Sequence, residues 1–375
     1  MALLALRNLL HDKVRLAVTL IGIVFSVVLV AVETGLFLGF TTSTSNVIDH
    51  SGAEFWVTSK GAQYIEVGRP FPEKKMYHAL AAPGVAEVEK LIVWFSPWKR
   101  PDGANTTVEI IGFNPDHPLG GPWRVASGNI GDLKQVDTVM VDRFYAHKLG
   151  IDHIGQAVEV QGVRARVVGF TEGIRTFTTS PLIFASFNNA RRYAGLASNQ
   201  TIYLLVKAAP GADLARVKSA LAERLTDVDV RSTREFSSMT TTYWIFGTGA
   251  GVTVAMAAVL GLLVGIVVVA QTIYAATIDH IREFGTLKAM GAPNSYIYGI
   301  ILQQAAVSGA IGYAAGIALA ILVAGSASSS GGADIVLPQP VLAGLFALTL
   351  LMCASAAMVS INKATKIDPV MVFKG

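Results

Sequence analysis

Charge is scarce in this chain. Only 15% of its 375 residues are charged, against about a quarter in soluble domains. With a mean hydropathy of +0.50, this excludes a water-soluble fold for the whole molecule. Cysteine is nearly missing. Cys353 stands alone inside an apolar run, so no disulfide framework supports an exposed domain, whose fold must rest on core packing. No G-x-x-x-x-G-K-[ST] loop occurs, which excludes ATP binding through a phosphate loop on this chain. The histidines (His11, His50, His78, His117, His147, His153, His280) are scattered without metal-site spacing. No serine sits in a G-x-S-x-G elbow. No enzymatic chemistry, resident metal or cofactor is therefore expected on the chain. The net charge of +4 is no nucleic-acid signal either.

Long apolar runs are what the chain has. A bilayer core takes about 20 apolar helical residues. Leu16–Phe40 meets that with one charge, Glu33, and Ile245–Ile278, Ser295–Gly325 and Val341–Ile361 meet it with none. One run precedes and three follow a polar block, Thr41–Tyr243. The first run exceeds a signal-peptide core, and Thr41–Ser45 offers no A-x-A cleavage pattern, so it reads as a retained helix. The fold class expected is an α-helical membrane protein with four transmembrane helices plus an α+β extracytoplasmic domain inserted between helices 1 and 2. Lys and Arg set the orientation. Arg7, Lys13 and Arg15, then Arg282 and Lys288, then Lys363, Lys366 and Lys374 mark one side, while Ser326–Gln339 carries no Lys or Arg. Both termini are expected in the cytoplasm and the insertion outside.

The boundaries follow. Residues 1–15 form a cytoplasmic amphipathic segment, lying at the interface or serving as a basic flank. Transmembrane helices occupy 16–40, 244–278, 294–325 and 341–362. The external domain with its helical stalk covers 41–243, a cytoplasmic helix 279–293, a short external loop 326–340 and a cytoplasmic tail 363–375. The second apolar run lasts 34 residues without charge, about 51 Å of helix, and lacks turn signals before it. Both of the first two helices are therefore expected to continue as a stalk. Within the insertion, strand-like runs include Phe55–Thr58, Leu91–Phe95, Thr107–Gly112, Thr138–Val141, Val158–Gln161, Ala165–Gly169, Leu182–Ala185 and Ile202–Val206, with a hairpin at Gly162. Helical patterns cover Glu73–Ala81, Arg143–Leu149 and Asp213–Leu225. Asn114–Gly131 reads as a long loop.

Glycines recur one helical turn apart: Gly35 and Gly39, Gly247 and Gly251, Gly261 and Gly265, Gly312 and Gly316. They argue for close helix packing, within the chain or with a second copy. Glu33 is expected near the outer surface, and Gln303 and Gln304 to form interhelical hydrogen bonds. The link Asp279–Pro293 forms a short amphipathic helix ended by Gly-Ala-Pro, with Ile281, Phe284, Leu287 and Met290 at spacing three beside Arg282, Glu283 and Lys288. Such a helix suits a groove in a partner protein; by composition it could equally rest on lipid.

The run Arg282-Glu283-Phe284-Gly285-Thr286-Leu287-Lys288-Ala289-Met290-Gly291-Ala292 resembles the signature of FtsX/MacB-type (type VII) ABC transporter permeases. Asp368–Lys374 resembles the family's ending. Ala146–Gly150, Gly155–Val160 and Val167–Phe170 are similar to its periplasmic core domain. Asn8–Leu16 and Glu283–Gly291 look most like the DevC branch. The resemblance implies that Ile281, Arg282, Glu283, Phe284, Leu287, Lys288, Met290 and Gly291 belong to a coupling helix docking on a separate ABC ATPase subunit, which holds ATP and magnesium. It also implies a bacterial inner-membrane location with the insertion in the periplasm. The further partners implied are a second permease copy, a periplasmic membrane-fusion adaptor and a TolC-like outer-membrane channel, besides membrane lipid. Export of a hydrophobic or amphipathic substrate is the function expected. An FtsX-like regulator of a cell-wall hydrolase and a lipoprotein-releasing permease are the alternatives.

Overall fold

A computed structural model describes residues 13–364 except Pro118, residues 177–179, His280 and residues 330–334. The expected N-terminal amphipathic segment before Lys13 and the C-terminal run Asp368–Lys374 lie outside the described residues. The chain divides into two compact units, Met1–Gly39 with Gly251–Gly375, and Phe40–Ala250.

Helix α1 (Lys13–Asp49) is unbroken for 37 residues, about 55 Å. The unit of residues 40–250 then builds strands β1 (Phe55–Ser59) and β2 (Phe71–Pro72), helix α2 (Lys75–Leu80), the 15-residue strand β3 (Val85–Lys99), β4 (Asn105–Phe113), β5 (Val125–Ser127) and β6 (Thr138–Asp142). Helix α3 (Ala146–Leu149), β7 (Ala157–Val160), β8 (Val163–Thr171), β9 (Leu182–Ser186), helix α4 (Phe187–Tyr193), β10 (Gln200–Thr201), β11 (Tyr203–Ala208), helix α5 (Leu214–Arg224), β12 (Val228–Ser232) and helix α6 (Thr233–Thr242) follow.

Ten strands form one sheet in the order β12-β1-β11-β3-β4-β9-β6-β8-β5, with β7 joining β3 and β8. The long β3 holds it together. Its first half pairs with β11 from Val85 to Leu91, and its second half pairs with β4 from Ile92 to Lys99. The β7–β8 hairpin turns at Gln161 and Gly162, both with positive φ, as a two-residue turn between twisted strands requires. Trp56 on β1, Tyr203 on β11 and Phe236 on α6 form a buried aromatic trio with centroids 5.4 to 5.9 Å apart, which fastens α6 to the sheet. Such rings carry much of the core burial that cysteines would otherwise supplement. Three α-helices have side-chain caps among the described residues: Ser186 Oγ accepts from Asn189 N–H at the start of α4, the Asp213 carboxylate accepts from Ala215 N–H at the start of α5, and Ser232 and Glu235 form a reciprocal capping box on α6.

The other unit contains α7 (Ala250–Asp279), α8 (Ile281–Ala289), α9 (Asn294–Ser329) and α10 (Gln339–Ala364), together with the first part of α1. Four helices, α1, α7, α9 and α10, are long and apolar enough to cross a membrane. They flank the α+β domain in the expected order. Their core joins Ile23 and Val27 of α1, Val269 and Ile273 of α7, Ile300 of α9 and Cys353 of α10.

The glycine pairs show where helices approach. A β-carbon on Gly261 would meet Glu33 Cγ at 3.2 Å, and one on Gly265 would meet Val30 Cγ2 at 3.1 Å. On α9, a β-carbon at Gly312 would meet Ile23 Cγ2 at 2.5 Å, and at Gly316 Val27 Cβ at 2.8 Å. These four glycines seat α1 against α7 and α9 within one chain. Gly39 is buried too, but Gly35 faces Ile335 and Leu337 of a loop, and its carbonyl accepts from Val336 N–H at 3.0 Å.

One expectation is corrected. The second membrane helix does not continue unbroken into a stalk. Helix α6 passes into a π-helical turn, Tyr243–Gly247, and Gly249 takes φ +75° before α7 begins at Ala250. Thr248 fixes the break, its hydroxyl donating to Trp244 O at 2.9 Å and accepting from Ala250 N–H at 3.2 Å. Only glycine adopts that conformation without a steric penalty.

Because the Gly312 contact leaves no room for a side chain, Gly312→Val should overpack the α1–α9 seam by about 1–3 kcal/mol. The expected result is a lower melting temperature of the full chain in detergent. Gly325→Ala, where nothing lies within 4 Å, should leave it unchanged or raised.

Candidate functional site

The sequence concentrates its candidate site on α8, and the backbone there is sharply defined. Gly291 has φ +92°. Its N–H donates to Lys288 O at 3.0 Å, and the Ala292 N–H reaches back to Leu287 O at 3.0 Å. This is a Schellman ending, in which a left-handed glycine satisfies carbonyls that the last helical turn leaves open. Pro293 then starts the turn into α9, its carbonyl accepting from Tyr296 N–H at 2.9 Å. The short helix is thereby held between two long ones at a fixed length.

Its faces divide unequally. Glu283, Thr286 and Met290 are exposed, Met290 to 71%. Gly285 is buried, and Leu287 packs against the core formed by α1, α7, α9 and α10. Lys288 is half-buried. Leu287 therefore anchors the helix to its own chain, although spacing three grouped it with Met290. The side chains of Ile281, Arg282 and Phe284 lie outside the described residues.

From the segment before α8, α7 runs back as one 30-residue helix, about 45 Å. At its far end stand the π turn and Gly249. Tyr243 of that turn stacks on Tyr64 with centroids 4.1 Å apart and planes at 15°, and Trp244 meets Tyr64 edge-on at 5.3 Å. Sequence reading missed this clasp, because 179 positions separate Tyr64 from Tyr243 and neither motif is periodic.

The remaining candidates resolve individually. Glu33 lies along Gly261 and is half-buried. Gln303 Oε1 is buried with no hydrogen-bond partner among the described residues, so the expected interhelical bond is not made by that atom. Folding brings His117 beside Glu87 and Glu89, their ligand atoms within 4.8 Å of one another. That proximity was invisible to spacing, since a loop supplies the histidine and β3 the carboxylates. His117 Nδ1 stands 3.1 Å from Glu87 Oε1, and the Asn114 amide donates to both Glu89 oxygens at 3.1 and 3.2 Å. Burial raises the Glu89 carboxyl above its ordinary value, and the Asn114 bonds partly offset this. Each group already has a polar neighbour, and the cluster is partly exposed.

Known proteins match both parts of the chain. Residues 16–224 match the MacB-like periplasmic core domain and residues 255–369 the FtsX-like permease C-terminal domain. An uncharacterized ABC transporter permease of Mycobacterium tuberculosis strain H37Rv is 24% identical over 384 residues, covering 99% of both chains. Another, from Mycobacterium bovis, is 24% identical over 379 residues with the same coverage. Among solved structures, the periplasmic region of MacB from Actinobacillus actinomycetemcomitans aligns at TM-score 0.40 and 10% identity, over 52% of this chain and 96% of its own. The extracellular domain of the transporter YknZ from Gram-positive bacteria aligns at TM-score 0.37 and 16% identity, over 48% and 98%.

The helix ending generates a prediction of its own. A β-carbon at Gly291 costs about 1–2 kcal/mol in the left-handed region. Gly291→Ala should open the turn, seen as faster hydrogen exchange at the amides of residues 291 and 292 with those in the middle of α7 unchanged.

Proposed function

The chain belongs to the MacB/FtsX-like (type VII) family of ABC transporter permeases, and from that membership we propose that it is the permease subunit of an exporter driven by a separate ABC ATPase. The observation that carries this reading is the capped helix α8, seated on its own chain through Leu287 and presenting Glu283, Thr286 and Met290 outward. A rigid amphipathic lever between two membrane helices suits a groove on a partner. The Lys and Arg distribution supports placing it in the cytoplasm, with both termini, and the α+β domain in the periplasm.

In the proposed mechanism this chain performs no bond chemistry. ATP and magnesium belong to the ATPase. Closure of the ATPase pair displaces α8, and α7, whose hydrogen-bond ladder is continuous from Ala250 to Asp279, carries the displacement along its axis. The glycine break at residues 247–249 lets the far end rotate while the sheet keeps its own packing. Substrate is then taken from the periplasm or outer leaflet, which favours hydrophobic or amphipathic cargo. A second permease copy fits the coverage of α7: 17% of its most apolar window is buried, against 33% in each of the other three helices. A membrane-fusion adaptor and a TolC-like channel complete the DevC-type assembly proposed.

Glu283→Lys and Met290→Asp should each reduce co-purification of the ATPase by about tenfold, equivalent to roughly 1.4 kcal/mol, at unchanged membrane levels of the permease. Leu287→Asp should lower the permease level as well, because it also injures internal packing. Full ATPase capture and intact transport in the first two variants would refute the docking role of α8.

A further inference from the structure

Inside the unit of residues 40–250, two carboxyls lie where charge is expensive. Glu109 on β4 is fully buried. Its Oε2 accepts from Thr176 Oγ1 at 3.3 Å, while Oε1 has no partner among the described residues. Glu66 sits on a single 3₁₀ turn, Ile65–Val67, half-buried, with Oε2 enclosed and likewise without a partner there. A buried ion ordinarily demands an opposite charge. Among the described residues no lysine, arginine or histidine acts on either carboxyl. The titratable groups around them are tyrosines, which stay neutral below about pH 10. Tyr203 on β11 feels both carboxyls and donates its hydroxyl to Ile65 O at 2.5 Å. Tyr64 precedes the turn, and Tyr243 stacks on it.

The placement is as informative as the burial. The turn carrying Glu66 also carries Tyr64, which holds Tyr243 and Trp244 at the root of α7. Trp244 is itself a neighbour of the Glu66 carboxyl. A change in the charge of the pair is therefore felt by the clasp through three consecutive residues.

We infer that Glu66 and Glu109 form a proton-binding pair whose protonation holds, and whose ionisation loosens, the Tyr64–Tyr243–Trp244 clasp at the root of α7. With both carboxyls neutral, the turn stays packed under Tyr203. When the protons leave, two desolvated like charges repel. Glu66 is the partly exposed member and Glu109 the fully buried one, so the Glu66 turn moves outward and draws Tyr64 off Tyr243. The sign follows from the environment. Burial pushes Glu66 from 4.5 up to about 7 and Glu109 from 4.5 up to about 8, with the Glu66 charge adding to the rise at Glu109. Thr176 and Trp244, which favour the charged forms, only partly oppose this. Both folded-state values exceed the unfolded one, so the folded form keeps protons that the unfolded form releases. The stabilisation is complete below about pH 4.5 and is lost as pH rises through 7 to 8. This inference concerns residues 40–250 alone, and a failed ATPase capture would leave it standing.

The test is hydrogen exchange of the full chain in nanodiscs from pH 5.5 to 8.5, corrected for the intrinsic pH dependence of exchange. In the wild type, residues 243–250 should exchange at least tenfold faster at pH 8.5 than at pH 5.5, while α5 changes little. Glu66→Gln with Glu109→Gln, two neutral isosteres, should keep that segment protected throughout. Glu66→Gln alone, at the accessible member, should weaken the pH dependence without abolishing it, which covers failure of the double variant to fold. A wild-type segment with no corrected pH dependence, or the same dependence in Glu66→Gln as in the wild type, would overturn the inference.

Discussion

An apolar helix in a bilayer has no water with which to replace a broken backbone hydrogen bond. Its ladder must therefore run unbroken wherever lipid surrounds it. That constraint governs this chain. Over the 30 residues of α7 the ladder is continuous, so the helix is stiff along its axis and yields only where the sequence interrupts it. The interruptions stand beyond each end: Gly249 at φ +75° on one side, and the Gly291 ending of α8 on the other. The close approaches at Gly261 and Gly265 hold α1 along its flank, so sideways bending is resisted by packing.

The α+β domain meets a different constraint, that of building a core without disulfides. It does so with a ten-stranded sheet in which the long β3 pairs along its first half with β11 and along its second half with β4. Large aromatic side chains, Trp56, Trp98, Tyr203, Phe113 and Phe184, fill the interior. Polar atoms in that interior are mostly satisfied, as where the Asp142 carboxylate accepts from Phe144 N–H, Ile174 N–H and Thr171 Oγ1. Among the described residues Trp56 Nε1, the Tyr193 hydroxyl and Thr240 Oγ1 also lack partners, but the bare oxygens of Glu66 and Glu109 are the ones that belong to carboxyls.

What was legible in the sequence was local or strongly periodic. The apolar runs sufficed for four helices, because bilayer length is written directly into composition. The hairpin at Gly162 and the helix stop at Gly291 were legible because a glycine with positive φ stands at each, Gln161 sharing the hairpin turn. Helix α5 showed through Leu214, Val217 and Leu221, although only the latter two are buried. By contrast, α4 has no periodic signal in Phe-Asn-Asn-Ala-Arg-Arg-Tyr, and it forms because Ser186 caps it and Gly112 leaves room for Ala190. Strand β12 alternates Val with charged residues and exists by pairing with β1. The break before α7 was hidden by a run without charge or proline, where apolar character masked a Gly-Thr-Gly signal. On α8, spacing placed Leu287 and Met290 on one stripe, yet the first packs inward and the second faces out, since a nine-residue helix pressed against a bundle is sorted by its neighbours and not by its own period.

The position of the carboxyl pair links these points. A glutamine at residue 109 would keep the shape and remove the titration, so the acid costs stability at neutral pH, up to about 1.4 kcal/mol per pH unit for each proton released. Such a cost at a random core position would be plain loss. Here it falls on the turn that grips Tyr243, the residue with which the π turn begins, seven residues before α7. The turn at Ile65–Val67 thus carries a titrating carboxyl, while α5 and β12 are held by the apolar cluster of Val217, Leu221 and Val228. Weakness confined to a joint permits the joint to move without melting the sheet. On this view the missing counter-charge is the feature that makes the stack of Tyr64 on Tyr243 adjustable while the sheet beside it stays fixed.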